Sequence, residues 1–97
     1  MDGIDELASR LASWAAGSDV RIKRTSGLLR LENPDGTANA VVTFPNGFWE
    51  TYEAATEERR NQAMHSMVLR VQVLYPPIWR SQEALDIAIP ITFVQEV

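Results

Sequence analysis

The chain of 97 residues contains no cysteine and a single histidine, His65. The absence of cysteine excludes disulfide bonds, thiolate metal sites and cysteine nucleophiles. A single histidine excludes any site that requires two imidazole groups. No D-x-D-x-D-G loop, H-E-x-x-H helix or glycine-rich phosphate loop is present, so we predict neither a metal site nor a cofactor site.

Long apolar runs are also missing. No segment approaches the ~18 uninterrupted apolar residues that a bilayer-spanning helix requires, so no membrane partner is expected. The first six residues, Met1-Asp2-Gly3-Ile4-Asp5-Glu6, are acidic, whereas a signal peptide begins with basic residues. We therefore expect a cytoplasmic protein.

Basic residues are fewer than acidic ones. Thirteen acids against nine lysines and arginines give a net charge of −4, which argues against general nucleic-acid binding. Hydrophobic residues form 45% of the chain and charged residues 23%, proportions typical of a globular protein. The length permits one core, so residues 1–97 are predicted to form a single domain.

Hydrophobic periodicity predicts an α+β fold with two layers. Apolar residues recur with a helical period near the start and again in the second half, and they alternate in between. Both helices are expected to pack on the same face of the sheet. The predicted elements are an N-terminal helix over 3–16, a three-stranded antiparallel meander between Val20 and Phe44, a long helix over 57–74 and a C-terminal edge strand over 87–94.

The predicted boundaries follow from capping and turn residues. Asp2 and Thr56 are expected to cap the two helices, because their side-chain oxygens can accept hydrogen bonds from backbone amides. Pro90 cannot donate to a β-ladder, so the last strand should lie at an edge or be interrupted. The segment that begins at Phe48 fits either a short helix or a link rich in turns.

Aromatic residues supply the candidate interaction surface. We select Phe48, Trp49, Tyr52 and Trp79, because Trp49 and Trp79 stand near proline or glycine and aromatic side chains near loops are typical of binding patches. The alternative is that these side chains pack over the ends of the sheet. We predict no catalytic residue, and His65 is interpreted as a structural or solvated histidine, since no catalytic partner accompanies it.

Two other functional classes remain open. An enzyme with a carboxylate-based site would need two facing acids, one of them with a raised pKa. The order of helix, three strands and helix also occurs in double-stranded-RNA-binding domains, and basic residues gather on the first hairpin (Arg21, Lys23, Arg24 and Arg30). The RNA-binding interpretation is disfavoured by Glu57 and Glu58, because acids at the start of the second helix would repel phosphates.

Part of the chain resembles a known family. The strand Leu29-Arg30-Leu31-Glu32, the block from Phe48 to Arg60 and the segment Tyr75-Pro76-Pro77-Ile78-Trp79-Arg80-Ser81 resemble the N-terminal part of an uncharacterised bacterial family, over about residues 29–81. That family has no established activity, so the resemblance implies no catalytic residue. The order of elements is also similar to that of bacterial secretion chaperones, which are small, acidic and usually dimeric; this likeness is one of topology only.

These observations favour a non-enzymatic interaction or adaptor module, with a chaperone-like role as one form of it. Its expected partner is another protein or a second copy of the chain. The C-terminal strand, if unpaired, would offer a further docking surface by strand addition.

Overall fold

The computed structural model describes residues 2–75 and 83–94 of the chain. The chain forms a helix, three strands, two helices and a fourth strand, followed by a 3₁₀ turn over Ile91–Phe93. The elements are α1 (Gly3–Trp14), β1 (Arg21–Thr25), β2 (Leu28–Glu32), β3 (Ala38–Thr43), α2 (Phe48–Ala54), α3 (Glu57–Leu74) and β4 (Leu85–Ala88).

The two predicted helix caps are confirmed. The Asp2 carboxylate accepts a hydrogen bond from the Asp5 backbone amide at 2.9 Å, and this bond begins α1. The Thr56 hydroxyl accepts one from the Arg59 amide at 3.1 Å, and this bond begins α3. Each bond satisfies an amide that has no partner within its own helix. Helix α3 covers the predicted range, whereas α1 ends two residues earlier than predicted.

The first three strands form the predicted antiparallel meander. The β1–β2 hairpin closes through Ser26 and Gly27, which have φ angles of +46° and +81°. Positive φ at both central residues is the geometry of a type I′ turn, whose twist matches that of the flanking strands. This turn fixes the register and pairs Thr25 with Leu28.

The C-terminal strand differs from its prediction. Strand β4 covers Leu85–Ala88, not 87–94, and it pairs in parallel with β3. The ladder ends near Pro90, because proline has no amide hydrogen to donate; the last bond runs from the Ile89 amide to the Thr43 carbonyl at 2.9 Å. As predicted, β4 lies at an edge of the sheet, whose order is β1-β2-β3-β4.

One face of the sheet carries the core. Its buried side chains alternate along the strands and join those of α1 and α3 in a single cluster. The domain therefore has the two layers predicted, with both helices on the same face. The buried sheet residues are Leu29, Leu31, Ala40, Val42 and Ile87, and the principal helix residues are Ile4, Leu7, Leu11, Met64, Met67 and Val71.

Helix α2 resolves the ambiguity left by the sequence between Pro45 and Thr56. Residues Phe48–Ala54 form two helical turns between β3 and α3. Within residues 2–75 and 83–94, no helix has both the length and the apolar character that crossing a membrane requires.

Candidate functional site

Helix α2 brings four aromatic rings together at one end of the domain. The indole of Trp49 lies at their centre, with ring centroids 4.9 Å from Phe44, 4.8 Å from Phe48 and 5.2 Å from Tyr52. The Phe48 and Tyr52 contacts are edge-to-face, at 86° and 73° between ring planes. This geometry pairs the positive edge of one ring with the negative face of another.

The structure separates the members of the predicted interaction surface. Phe48 is 0% exposed and Tyr52 is 6% exposed, so both belong to the core and not to a surface patch. Their spacing places them on the inner side of α2, where a small domain uses large rings to fill its core. Trp49 is partly exposed at the edge of the core. Trp79 lies outside the described residues.

Gly3 lets the aromatic cluster approach the start of α1. A methyl group at Gly3 would lie 2.6 Å from Cζ3 of Trp49 and 2.9 Å from Cε1 of Tyr52. Both distances are well below van der Waals contact, so only glycine permits this packing without movement of the rings. The sequence carries no visible signal of this role, because Gly3 also fits the first turn of an acidic helix.

We expect Gly3→Ala to lower the free energy of unfolding by about 1–2 kcal/mol. The clash with the Trp49 ring should cost about 1–3 kcal/mol. It outweighs the gain of up to about 1 kcal/mol that alanine normally brings to a helix. Urea unfolding followed by circular dichroism measures the change. Ser9→Ala, an exposed control on α1, should be neutral or slightly stabilising, and a Gly3→Ala variant as stable as that control would contradict the packing.

A groove lies beside this cluster, between the start of α1, the β1–β2 turn and α2. Its volume is about 630 Å³. We call it the Trp49 groove, and it is lined by Asp2, Gly3, Ile4, Arg24, Gly27, Trp49, Glu50, Glu53 and Ala54. Backbone, aliphatic and aromatic atoms form much of its wall, and three carboxylates and one guanidinium supply its charge.

The guanidinium of Arg24 is held by two carboxylates of α1. It donates to Asp5 at 2.7 Å and to Asp2 at 3.1 Å, so it bridges the hairpin to the helix start. The backbone amide of Asp5 lowers the pKa of Asp2, and Arg24 lowers that pKa further. The same two carboxylates raise the pKa of Arg24. Asp2 and Arg24 therefore stay charged at neutral pH, and Nη1 of Arg24 contacts both carboxylates.

Two acids on α2 have no such partner. Glu50 and Glu53 are three residues apart, so both lie on the side of the helix that meets the groove. In the part of the chain that the structure describes, neither carboxylate forms an ion pair or a side-chain hydrogen bond. Burial raises the pKa of the Tyr52 hydroxyl, and the negative charges of Glu6 and Glu53 raise it further, whereas Arg60 and Arg10 lower it. The groove therefore has a negative rim.

The Trp49 indole N–H is buried and has no acceptor among residues 2–75 and 83–94. An unpaired buried donor costs about 1–3 kcal/mol, so the protein retains tryptophan here at some expense in stability.

Two of the four basic residues on the hairpin are paired with acids. Arg24 pairs with α1, and Arg30 donates to Glu32 at 2.7 Å. Arg21 and Lys23 are exposed on the outer face of the sheet, away from the helices. His65 is exposed on α3, and no metal-binding group of three or more histidine or acidic side chains occurs within the described residues. Sequence reasoning missed Glu50 and Glu53, although their spacing beside Trp49 was a usable signal.

No family model, curated protein or solved structure matches this chain. The resemblance of residues 29–81 to a bacterial family, and the topological likeness to secretion chaperones, therefore stay predictions.

Proposed function

We propose that this chain is a non-enzymatic interaction module and that the Trp49 groove binds a segment of a partner protein. The observation that carries the proposal is the groove itself. An aromatic side chain at the edge of the core lines it, and two carboxylates without internal partners stand at its rim. This combination of an apolar wall with a few polar groups is typical of recognition sites.

The size of the groove supports a chain segment as its occupant. About 630 Å³ lies within the range of roughly 300–1,000 Å³ for sites that enclose a drug-sized molecule, so side chains of a short segment can enter it. Its walls come from three separate elements, namely the start of α1, a hairpin turn and α2. The packing of Gly3 and the ion pairs of Arg24 hold these elements together, so the groove is preformed and a ligand need not order it.

The pKa and the contacts of Asp2 favour an interaction site over an enzyme with a carboxylate-based site. A general acid at neutral pH needs a raised pKa, whereas the pKa of Asp2 in the groove is lowered by the Asp5 amide and by Arg24. The Asp2 carboxylate is also committed to capping α1 and to Arg24. Its contacts are therefore those of a structural group.

Filling the groove should abolish binding without unfolding the protein. Ala54 is exposed, lines the groove and ends α2, so Ala54→Phe places a ring in the groove at little cost in stability. In selections from a random peptide library displayed on phage, we expect the wild type to enrich a consistent set of sequences and Ala54→Phe to lose them. Ala12→Phe makes the same change at an exposed position of α1 outside the groove and should enrich the same set as the wild type.

Enrichment that survives Ala54→Phe would place the binding site elsewhere and contradict the proposal. Failure of the wild type to enrich any sequence would also contradict it. The groove could instead bind a second copy of the chain, and sedimentation at micromolar concentration tests this alternative. A dimer that Ala54→Phe dissociates would assign the groove to self-association and not to a separate partner.

A further inference from the structure

We propose that the Trp49 groove recognises a lysine or arginine side chain on its partner segment. This inference rests on the proposed function and specifies the chemical class of side chain that the groove would bind. The basic side chain would lie along the groove wall with its aliphatic stem against apolar atoms and its charged end between Glu50 and Glu53. Charge complementarity and the aromatic wall carry the inference.

The charge of the groove selects a cation. Its lining includes three carboxylates and one guanidinium, and that guanidinium already contacts both Asp2 and Asp5. Glu50 and Glu53 thus remain without a cationic partner in the described residues. These carboxylates would repel a ligand carboxylate or phosphate. A basic group could instead form a charge-assisted contact with each of them.

The wall of the groove suits the rest of a basic side chain. Gly27 and Ala54, both exposed, offer backbone and aliphatic surface along which a lysine or arginine stem can be buried. Trp49 adds an indole, the ring that attracts cations most strongly through its electron-rich face. A purely apolar ligand would satisfy the wall and leave the two carboxylates unpaired. A small inorganic cation would pair with the carboxylates and leave the apolar wall uncovered.

Two exposed basic residues of strand β1 lie away from the groove. Arg21 and Lys23 lie on the outer face of the sheet, since they alternate with Ile22 and Arg24, which point toward the helices. A basic partner segment would therefore meet the negative rim at α2 and not the basic strand. This separation of charge gives the partner one preferred orientation.

The test uses short synthetic peptides with identical apolar flanks and a central Lys, Arg, Gln, Met or Glu, measured by fluorescence anisotropy on the full chain. We expect the Lys and Arg peptides to bind about tenfold tighter than the Gln and Met peptides, and the Glu peptide weakest. Affinity for the Lys and Arg peptides should fall between about 50 mM and about 500 mM NaCl, because salt screens charges at an exposed rim.

Variants of the rim make the test specific. Glu50→Gln with Glu53→Gln should weaken binding of the Lys and Arg peptides about tenfold and leave the Met peptide within about twofold. Glu57→Gln with Asp86→Asn changes the net charge equally at sites outside the groove and should leave all affinities within about twofold. Trp49→Phe, which removes the unpaired N–H but keeps a ring, should retain the fold and weaken the basic peptides, because phenylalanine attracts cations less than tryptophan.

The outcomes separate this inference from the proposed function. Equal binding of the Met and Lys peptides, lost in Ala54→Phe, would overturn the basic-ligand inference and leave the groove as an interaction site. Loss of affinity in the control pair equal to that in the rim pair would overturn it as well, because general attraction to an acidic protein would then suffice. Absence of any peptide binding to the wild type would overturn both.

Discussion

Replacement of Phe48 by alanine is expected to lower the free energy of unfolding by about 3–5 kcal/mol. The Phe48 ring is fully buried, and its centroid lies 5.6 Å from that of Phe44 and 4.8 Å from that of Trp49. Alanine would remove the burial of the ring and leave a cavity under α2 that a close-packed core closes only in part. Small domains have total stabilities of about 5–15 kcal/mol, so this single change should remove a large share.

Urea unfolding followed by circular dichroism measures the loss, because the same substitution also changes the surroundings of Trp49 and complicates its fluorescence. Phe48→Leu keeps most of the volume and should cost less than about 1.5 kcal/mol. Val73→Ala alters a side chain that is 77% exposed and should stay within about 0.5 kcal/mol of the wild type. A Phe48→Ala variant as stable as the Val73→Ala control would show that α2 does not dock on the core.

Local rules predicted the regular part of this fold. The apolar stripe through Leu7 and Leu11 fixes the buried face of α1, and the capping oxygens of Asp2 and Thr56 fix two helix starts. The first hairpin follows in the same way, because alternating apolar residues flank a turn predicted at Thr25-Ser26-Gly27. The structure narrows that turn to Ser26 and Gly27, since Thr25 pairs with Leu28. These features depend on neighbours along the chain, which a sequence displays directly.

Strand β4 shows why other features could not be predicted. Its residues read as an apolar alternating run, but its direction depends on the path of α2 and α3, which return the chain to the end of the sheet where β3 begins. A parallel neighbour requires such a crossover. The strand also begins earlier than predicted, at Leu85, because its pairing with β3 starts there, opposite Ala40.

The candidate site was predicted in part. Trp49 was selected as one of four aromatics, whereas Phe48 and Tyr52, on the same helix, proved to be core residues. A seven-residue helix has too few apolar positions to show from its sequence which side turns inward. The Gly3 approach and the Asp2–Arg24 bridge join segments more than twenty residues apart, so no local pattern reveals them.

Trp49 belongs both to the packing around the core and to the wall of the groove, and this links stability to recognition. Trp49 packs against Phe48 and Tyr52 on one side and lines the groove on the other. Its buried N–H lacks an acceptor within the described residues, which lowers stability, whereas its ring supplies the groove wall. A substitution that raises stability at this position is therefore expected to lower the affinity of the groove for its ligand. Trp49→Phe tests this, because stability and affinity are measured separately in the same variant.

Replacement of Asn39 by aspartate is expected to lower the free energy of unfolding by about 3 kcal/mol at neutral pH. Asn39 is the fully buried polar residue of β3, and its side-chain amide pairs with that of Asn33 through two reciprocal hydrogen bonds. In one of them, Nδ2 of Asn39 donates to Oδ1 of Asn33 at 2.5 Å. A carboxylate cannot donate, so two oxygens would face each other at that distance and a charge would be buried.

The pH dependence identifies the cause of that loss. Burial, together with the bond that a neutral carboxyl can donate to Asn33, should raise the folded-state pKa of the introduced group above the ordinary value of about 3.9. The folded variant then binds more protons than the unfolded one between those pKa values, so its stability falls as pH rises through that window and recovers toward pH 4. Urea unfolding from pH 4 to 7 measures this, and Asn61→Asp, at an exposed position of α3, should show no such slope relative to the wild type. A deficit in Asn39→Asp that is constant with pH would mean that the lost amide pairing, and not the buried charge, accounts for the effect.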